Sequence, residues 1–162
     1  RAVQQPEVPP LEVEDEPAIL IDSLQQGQPG SGGASDGVAL ALCRGVLYGL
    51  SRASGQVRWA MRVGIDTTAL PVHVPASLGT EERFLVLSSD TRTLSAVDSR
   101  GATLWRYHLG APSLGRPAVV GNRAYLGTYS PEGEVHEVEL SEGKVIGKFA
   151  LGQPLAVGGA YE

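Results

Sequence analysis

A segment of twelve to thirteen residues recurs in this chain, and the recurrence limits what it can fold into more than any other feature. Leu47-Tyr48-Gly49-Leu50-Ser51-Arg52-Ala53-Ser54-Gly55-Gln56-Val57-Arg58-Trp59 and Leu94-Ser95-Ala96-Val97-Asp98-Ser99-Arg100-Gly101-Ala102-Thr103-Leu104-Trp105 both run strand, polar turn ending in glycine, strand, tryptophan. A third copy spans Val135 to Gly147, with Gly147 where the tryptophan would stand and Phe149 two places on. The turn glycines Gly55, Gly101 and Gly143 are 46 and 42 residues apart, and Gly64, Gly110 and Gly152 close the copies at the same intervals. Each turn glycine supplies a positive φ that a Cβ would penalise, and the polar residues before it bond to their own backbone.

A period of 40 to 45 residues with about four strands per unit is the mark of β-propeller blades. The predicted fold is therefore all-β: four-stranded antiparallel blades, about three of them, near 37–64, 82–110 and 114–152. Gly152-Gln153-Pro154-Leu155-Ala156-Val157-Gly158-Gly159-Ala160-Tyr161 resembles Gly115 to Tyr125, the opening of the third unit, so a fourth begins where the sequence stops. Closed rings need more repeats than three. The chain thus reads as an excerpt of a larger propeller or, less favoured, as an open arc whose blade edges a partner or a second copy must cover. Trp59 and Trp105 are expected to pack between adjacent blades and not to serve as ligand platforms.

The 36 residues before the repeats differ in composition. They hold Pro6, Pro9, Pro10, Pro17 and Pro29, the acidic cluster Glu12, Glu14, Asp15 and Glu16, and Gly30-Ser31-Gly32-Gly33. Such a stretch buries too little apolar area to offset its ordering entropy, and it reads as a leader or linker. Ala18-Ile19-Leu20-Ile21 is the exception, four apolar residues able to add a strand to a neighbouring sheet edge. The leader carries seven acidic side chains and one basic, so it holds all of the net charge of −5 and leaves residues 37–162 near +1. The basic residues there are interspersed with acids, which argues against nucleic acid as a partner. No apolar stretch approaches the roughly 20 residues a bilayer requires. Because the chain opens on Arg1 without a charged-then-apolar leader, its first residue reads as a cleavage boundary.

The segment from 47 to 59 resembles the repeat of the quinoprotein-like propellers, in which an apolar-Tyr-Ala-Leu-Asp strand precedes a Thr-Gly-Lys turn and an apolar-apolar-Trp strand. The resemblance covers about 115 of the 162 residues. That family includes dehydrogenases carrying pyrroloquinoline quinone, scaffold lipoproteins of outer-membrane protein assembly, and many bacterial multidomain proteins. Its members are commonly exported, so the resemblance implies a periplasmic or cell-surface location in a bacterium.

The dehydrogenase pattern departs from this sequence. There is no adjacent Cys-Cys pair, no Cys-x-x-Cys-His, and no carboxylate flanked by calcium ligands. Asp66 and Asp90 are ordinary loop acids, and Asp98 sits at the turn position of its repeat. Cys43 is the only cysteine, so no disulfide forms within the chain, and its apolar surroundings suggest a buried structural thiol. His73, His108 and His136 are expected in different blades, which separates them as metal ligands. Alternation in Glu132 to Glu139 puts Glu134, His136 and Val138 on one face and Val135, Glu137 and Glu139 on the other, as on an exposed outer strand. No Gly-x-Ser-x-Gly elbow or phosphate loop is present. The sequence assigns no catalytic, cofactor-binding or metal-binding residue and requires no cofactor. It points to a non-catalytic propeller module that binds or scaffolds another protein, with self-association through open blade edges as a further route. The alternatives are a small-molecule sensor domain of a membrane or signalling protein and an excerpt of a quinoprotein oxidoreductase.

Overall fold

The structure, a computed structural model, describes residues 19–21, 37–65, 69–76, 81–113 and 115–155. Their strands form three four-stranded antiparallel sheets. The first contains β1 (Ile19–Ile21), β2 (Val38–Cys43), β3 (Val46–Ser51) and β4 (Val57–Arg62). The second contains β5 (Val72–Val74), β6 (Arg83–Ser88), β7 (Thr93–Asp98) and β8 (Thr103–His108). The third contains β9 (Ala118–Val120), β10 (Arg123–Thr128), β11 (Glu134–Glu139) and β12 (Val145–Ala150). Within each sheet the strands are neighbours in chain order, the meander of a propeller blade. Asp66 lies outside the described residues.

Two sheets begin earlier than the repeat signal. Ile19–Ile21 comes from the Pro-rich leader yet pairs with β2, Ile19 opposite Leu42 and Ile21 opposite Leu40. Val72–Val74 pairs with β6 in the same manner. Three residues of strand carry too little alternation to register as a repeat, whereas the six-residue strands that follow carry a full pattern.

The core lies in the seams between sheets. Val38, Leu40, Leu42 and Leu47 of the first blade pack against Phe84, Val86 and Val97 of the second. The opposite face of the second blade, Leu85, Leu87, Leu94 and Ala96, packs against Ala124, Leu126, Val138 and Leu140 of the third. Both faces of the middle blade are therefore covered, and all six residues of β6 are buried. That is why Phe84-Leu85-Val86-Leu87 is a continuous apolar run and not an alternating one.

The tryptophans lock these seams at equivalent points. The Trp59 indole N–H donates to the Ser99 carbonyl of the next blade at 2.9 Å, and that of Trp105 to the Leu140 carbonyl at 2.8 Å. Each ring lies over the turn glycine of the blade it reaches: Trp59 over Gly101 and Trp105 over Gly143. Opposite each tryptophan stands a small residue, Gly49 or Ala96, and a bulge follows it immediately, between Gly49 and Leu50 and between Ala96 and Val97. The third blade keeps the bulge, between Glu137 and Val138, but pairs Glu137 with Gly147. Burying on the order of 200 Å² of indole contributes about 5 kcal/mol gross at about 25 cal/mol per Å².

Three glycines with nearly equal backbone angles separate packing from conformation. Gly55, Gly101 and Gly143 have φ of 70°, 84° and 69°. A Cβ on Gly101 would fall 2.6 Å from the Trp59 ring, one on Gly143 closer still to Trp105, and one on Gly55 would meet nothing. All three alanine variants incur the left-handed backbone cost of about 1–2 kcal/mol. Gly101→Ala and Gly143→Ala should lose about 1–3 kcal/mol more than Gly55→Ala, read as the difference in urea unfolding free energies. Equal losses in all three would show that the indole does not depend on the bare glycine.

Candidate functional site

Polar side chains mark each blade in two places: the turn between its last two strands, and the seam beside its tryptophan. At the turns, a side chain at or next to the end of the third strand caps the chain reversal. The Ser51 hydroxyl accepts from the Ser54 N–H at 3.3 Å. Asp98 accepts from the N–H groups of Arg100 and Ala102 at 2.9 and 2.8 Å. Burial opposes its charge, but those two N–H groups and the Arg100 guanidinium hold its pKa below the usual aspartate value. Glu139 accepts from the Ser141 hydroxyl and from the N–H groups of Ser141 and Glu142 at 3.1 and 3.0 Å. Led by the Ser141 hydroxyl, these bonds and Asn122 outweigh burial and lower its pKa to about 2. Asp98 therefore has the structural turn role its position in the repeat suggested.

The seams carry different chemistry at equivalent positions. In the seam between the second and third blades, the Tyr107 hydroxyl lies 2.8 Å from His136 Nδ1, and His136 Nε2 lies 3.2 Å from the Glu134 carboxylate. Lys148 is the cross-strand partner of His136. His136 is fully buried. Its pKa is lowered, first by burial and also by the Lys148 charge, against the opposing pull of Glu134.

In the seam between the first and second blades, repeat equivalence puts Met61 where Tyr107 stands, Ser95 where His136 stands, Thr93 for Glu134 and Arg106 for Lys148. The smaller side chains leave a cleft of about 340 Å³, lined by Met61, Arg62, Val63, Gly64, Ile65, Thr91, Thr93, Ser95 and Arg106. It opens beside the β6–β7 turn and the end of β4.

Two further surfaces are exposed. Val57, Leu104 and Ile146 project from β4, β8 and β12, each the last strand of its sheet, at 59, 40 and 49% exposure. On the third blade, Phe149, Leu151 and Val120 are also exposed, and the space a tryptophan fills elsewhere is taken by Glu137, which accepts from Arg123 and, at 3.1 Å, from the Tyr125 hydroxyl.

Several expectations are corrected by these placements. His73 and His108 occupy the same blade, on its first and last strands β5 and β8, and only His136 lies elsewhere. The intervals between histidines misled because the short strand β5 opens the blade ahead of its repeat signal. His73 instead pairs with Glu82 at 2.8 Å. The segment around His136 is no outer strand: β11 is bonded on both sides, to β10 and β12, and His136 and Glu137 are buried on opposite faces of it. Cys43 is only partly buried, at the end of β2. Asp90 accepts from the Ile65 N–H, the Ser88 hydroxyl and, at 3.0 Å, the Thr91 N–H, as a loop carboxylate does. Among the described residues no group of three or more His, Cys, Asp or Glu is arranged to hold a metal ion. No helix long and apolar enough to cross a membrane occurs among the described residues.

Sequence reasoning missed the cleft altogether. Its signal was available in the aligned repeats, where Ser95 and Met61 are each much smaller than their counterparts His136 and Tyr107.

Stacked four-stranded meanders stapled by tryptophan on turn glycine define this chain as a run of quinoprotein-like β-propeller blades. Comparison with known proteins places it more narrowly. The family model described as outer membrane protein assembly factor BamB matches residues 43–148, and the chain belongs to that family. No curated protein matches it. Among solved structures, BamB from Moraxella catarrhalis superposes with a TM-score of 0.53 at 19% identity, over 70% of this chain and 33% of BamB. Quinohemoprotein alcohol dehydrogenase from Comamonas testosteroni gives 0.52 at 16% identity, over 71% of this chain and 20% of the dehydrogenase. Apo AztD from Citrobacter koseri gives 0.51 at 16%, over 80% and 37%. The chain thus spans about a third or less of the first two of these proteins. At such identities the likeness is one of fold.

The buried histidine makes stability pH-dependent in a stated direction. With its folded pKa below the usual imidazole value, His136 stays neutral in the seam while the unfolded chain takes up the proton first. Stability should therefore fall as pH drops through and below the ordinary imidazole range. His136→Gln should flatten that fall relative to the parent chain, in urea unfolding at several pH values. An identical pH profile in the two proteins would remove His136 as the cause.

Proposed function

We propose that this chain is a non-catalytic propeller module that binds another protein, in the manner of an assembly scaffold. The observation that carries the proposal is the rim. Leu104 and Ile146 stand at the equivalent bulge position on the last strands of the second and third sheets as exposed aliphatic points, with Val57 exposed on the last strand of the first, which suits a protein partner better than a small solute. Membership of the family described as outer membrane protein assembly factor supports the same reading, and with it a periplasmic site in a bacterium and a partner in outer-membrane protein assembly. The polar groups of the blades serve turns and seams, which agrees with a structural use of the repeat. A small-molecule sensor is the second reading, favoured by the cleft between the first two blades. The likeness to quinohemoprotein alcohol dehydrogenase supplies the competing reading of a quinoprotein.

The test places a photocrosslinking residue at Leu104 and at Ile146 in the natural full-length protein, in its own cells. The expected result is one protein adduct common to both positions, with the Leu104 adduct reduced at least tenfold by Ile146→Glu, while the purified protein neither gains thermal stability from pyrroloquinoline quinone with calcium nor oxidises alcohols. Absence of an adduct, with stoichiometric quinone and dye-linked alcohol oxidation, would overturn the proposal in favour of the dehydrogenase.

A further inference from the structure

The cleft between the first and second blades has the form of a ligand site. Its floor is apolar, from Met61 and Val63; one wall is formed by Thr91, Thr93 and Ser95; and Arg106 stands over that wall as the cross-strand partner of Ser95. Among the described residues no carboxylate pairs with Arg106. The equivalent position in the next seam shows what a filled site looks like. There Tyr107 and His136 occupy the volume and bond to each other, and Glu134 takes the remaining imidazole nitrogen. The first seam has the same backbone, the same apolar start and a cation at the same place, but neither the aromatic pair nor the carboxylate. What is missing from it, relative to its neighbour, is an apolar body carrying a negative group.

From this geometry we infer that the cleft binds a monocarboxylate with a short apolar body, the carboxylate on the Arg106 guanidinium and the Ser95 hydroxyl, and the apolar part on Met61 and Val63. A guanidinium presents parallel N–H donors that match a carboxylate, and the Ser95 hydroxyl can donate to a remaining lone pair, whereas the Thr91 and Thr93 hydroxyls already donate to the Ser88 hydroxyl and the Thr91 carbonyl. The volume of about 340 Å³ lies at the small end of ligand pockets, which begin at roughly 300 Å³. The charge balance favours a single negative charge. Asp90, bonded to the N–H groups of the lining residues Ile65 and Thr91, puts a negative charge near the cleft that opposes a dianion such as phosphate more than a single carboxylate. Arg62 is held on the Gly64 carbonyl at 3.1 Å and adds positive potential at the rim. A free small acid and the terminal carboxylate of a peptide share this chemistry. The inference stands apart from the rim proposal, because the two concern different surfaces.

The test is a calorimetric and amide-NMR titration with hexanoate, with hexanamide as its neutral counterpart, and with N-acetyl-valyl-leucine as free acid and as amide. The expected result is saturable binding of an acid with shifts at Ser95 and Thr93, at least tenfold weaker for the matching amide. Tighter binding of hexanoate would identify a free acid as the source, and tighter binding of the peptide acid a chain terminus; either upholds the site. Arg106→Gln, a change on an exposed side chain, should weaken binding at least tenfold. The double variant Met61→Tyr with Ser95→His, which recreates the filled seam, should abolish it while keeping a cooperative melt. Equal binding of acid and amide, no saturable binding of either acid, or affinity unchanged in Arg106→Gln would overturn the inference. Crosslinks on the rim would be unaffected by any of these outcomes, so the two proposals fail separately.

Discussion

Trp59 and Trp105 each project from the last strand of one blade and seat on a turn glycine of the next, and the rest of the arrangement is organised around that contact. The indole needs a flat, side-chain-free floor, which only glycine provides, and the same glycine needs a positive φ to close its turn. One residue thus satisfies the turn of its own blade and the packing of the preceding one. The opposite strand must leave room, which explains Gly49 and Ala96, and the bulge beside them increases the local twist as the ring leaves the sheet. In the second seam the Leu140 carbonyl also accepts from the buried Arg83 guanidinium, so that junction is clasped from the first full strand of the middle blade as well as from its last.

This constraint accounts for the third blade's departure. With Gly147 in place of tryptophan, the bulge persists but no indole stands opposite Glu137. Its carboxylate lies beside Gly147, neutralised by Arg123 and bonded by Tyr125, and glycine suits position 147 because a Cβ there would crowd the carboxylate at 3.2 Å. A buried acid is stable in such a place only with its charge partner at hand. The third blade therefore presents a face of polar and exposed apolar groups where the first two present an indole.

The sequence showed whatever repeats with period. The turn glycines, the tryptophans and the six-residue strands are each a local solution to a local problem, so their spacing announced both the fold and the seams. Asp98 as a turn cap was legible for the same reason. What escaped were features set by neighbours distant in the chain. Ile19 to Ile21 is not among them: its apolar run already marked a strand able to join a sheet edge, and β2 is that edge. His136 is buried because two strands and an adjacent blade enclose it, although its local sequence of alternating acids looks solvated. His73 shares a blade with His108 because the strand that opens a blade precedes the segment by which the repeat is recognised.

The cleft shows how a repeat acquires individuality without losing its frame. Stability comes from the apolar inner rows and the staple, and those are kept in both seams: leucines and valines within, an indole N–H on a carbonyl at the rim. The outer seam positions beyond the tryptophan bear little of that load, so their side chains vary in size and charge. In one seam the variation produces a tyrosine, a histidine and a glutamate that satisfy one another; in the other it produces a methionine, a serine and a threonine that do not reach across. A void lined by hydroxyls and a guanidinium exchanges with water at little cost, because its polar groups remain hydrated. The same groups closed off and unpaired would destabilise the seam. Openness at that point is therefore compatible with a stable stack, which leaves these positions available for recognition.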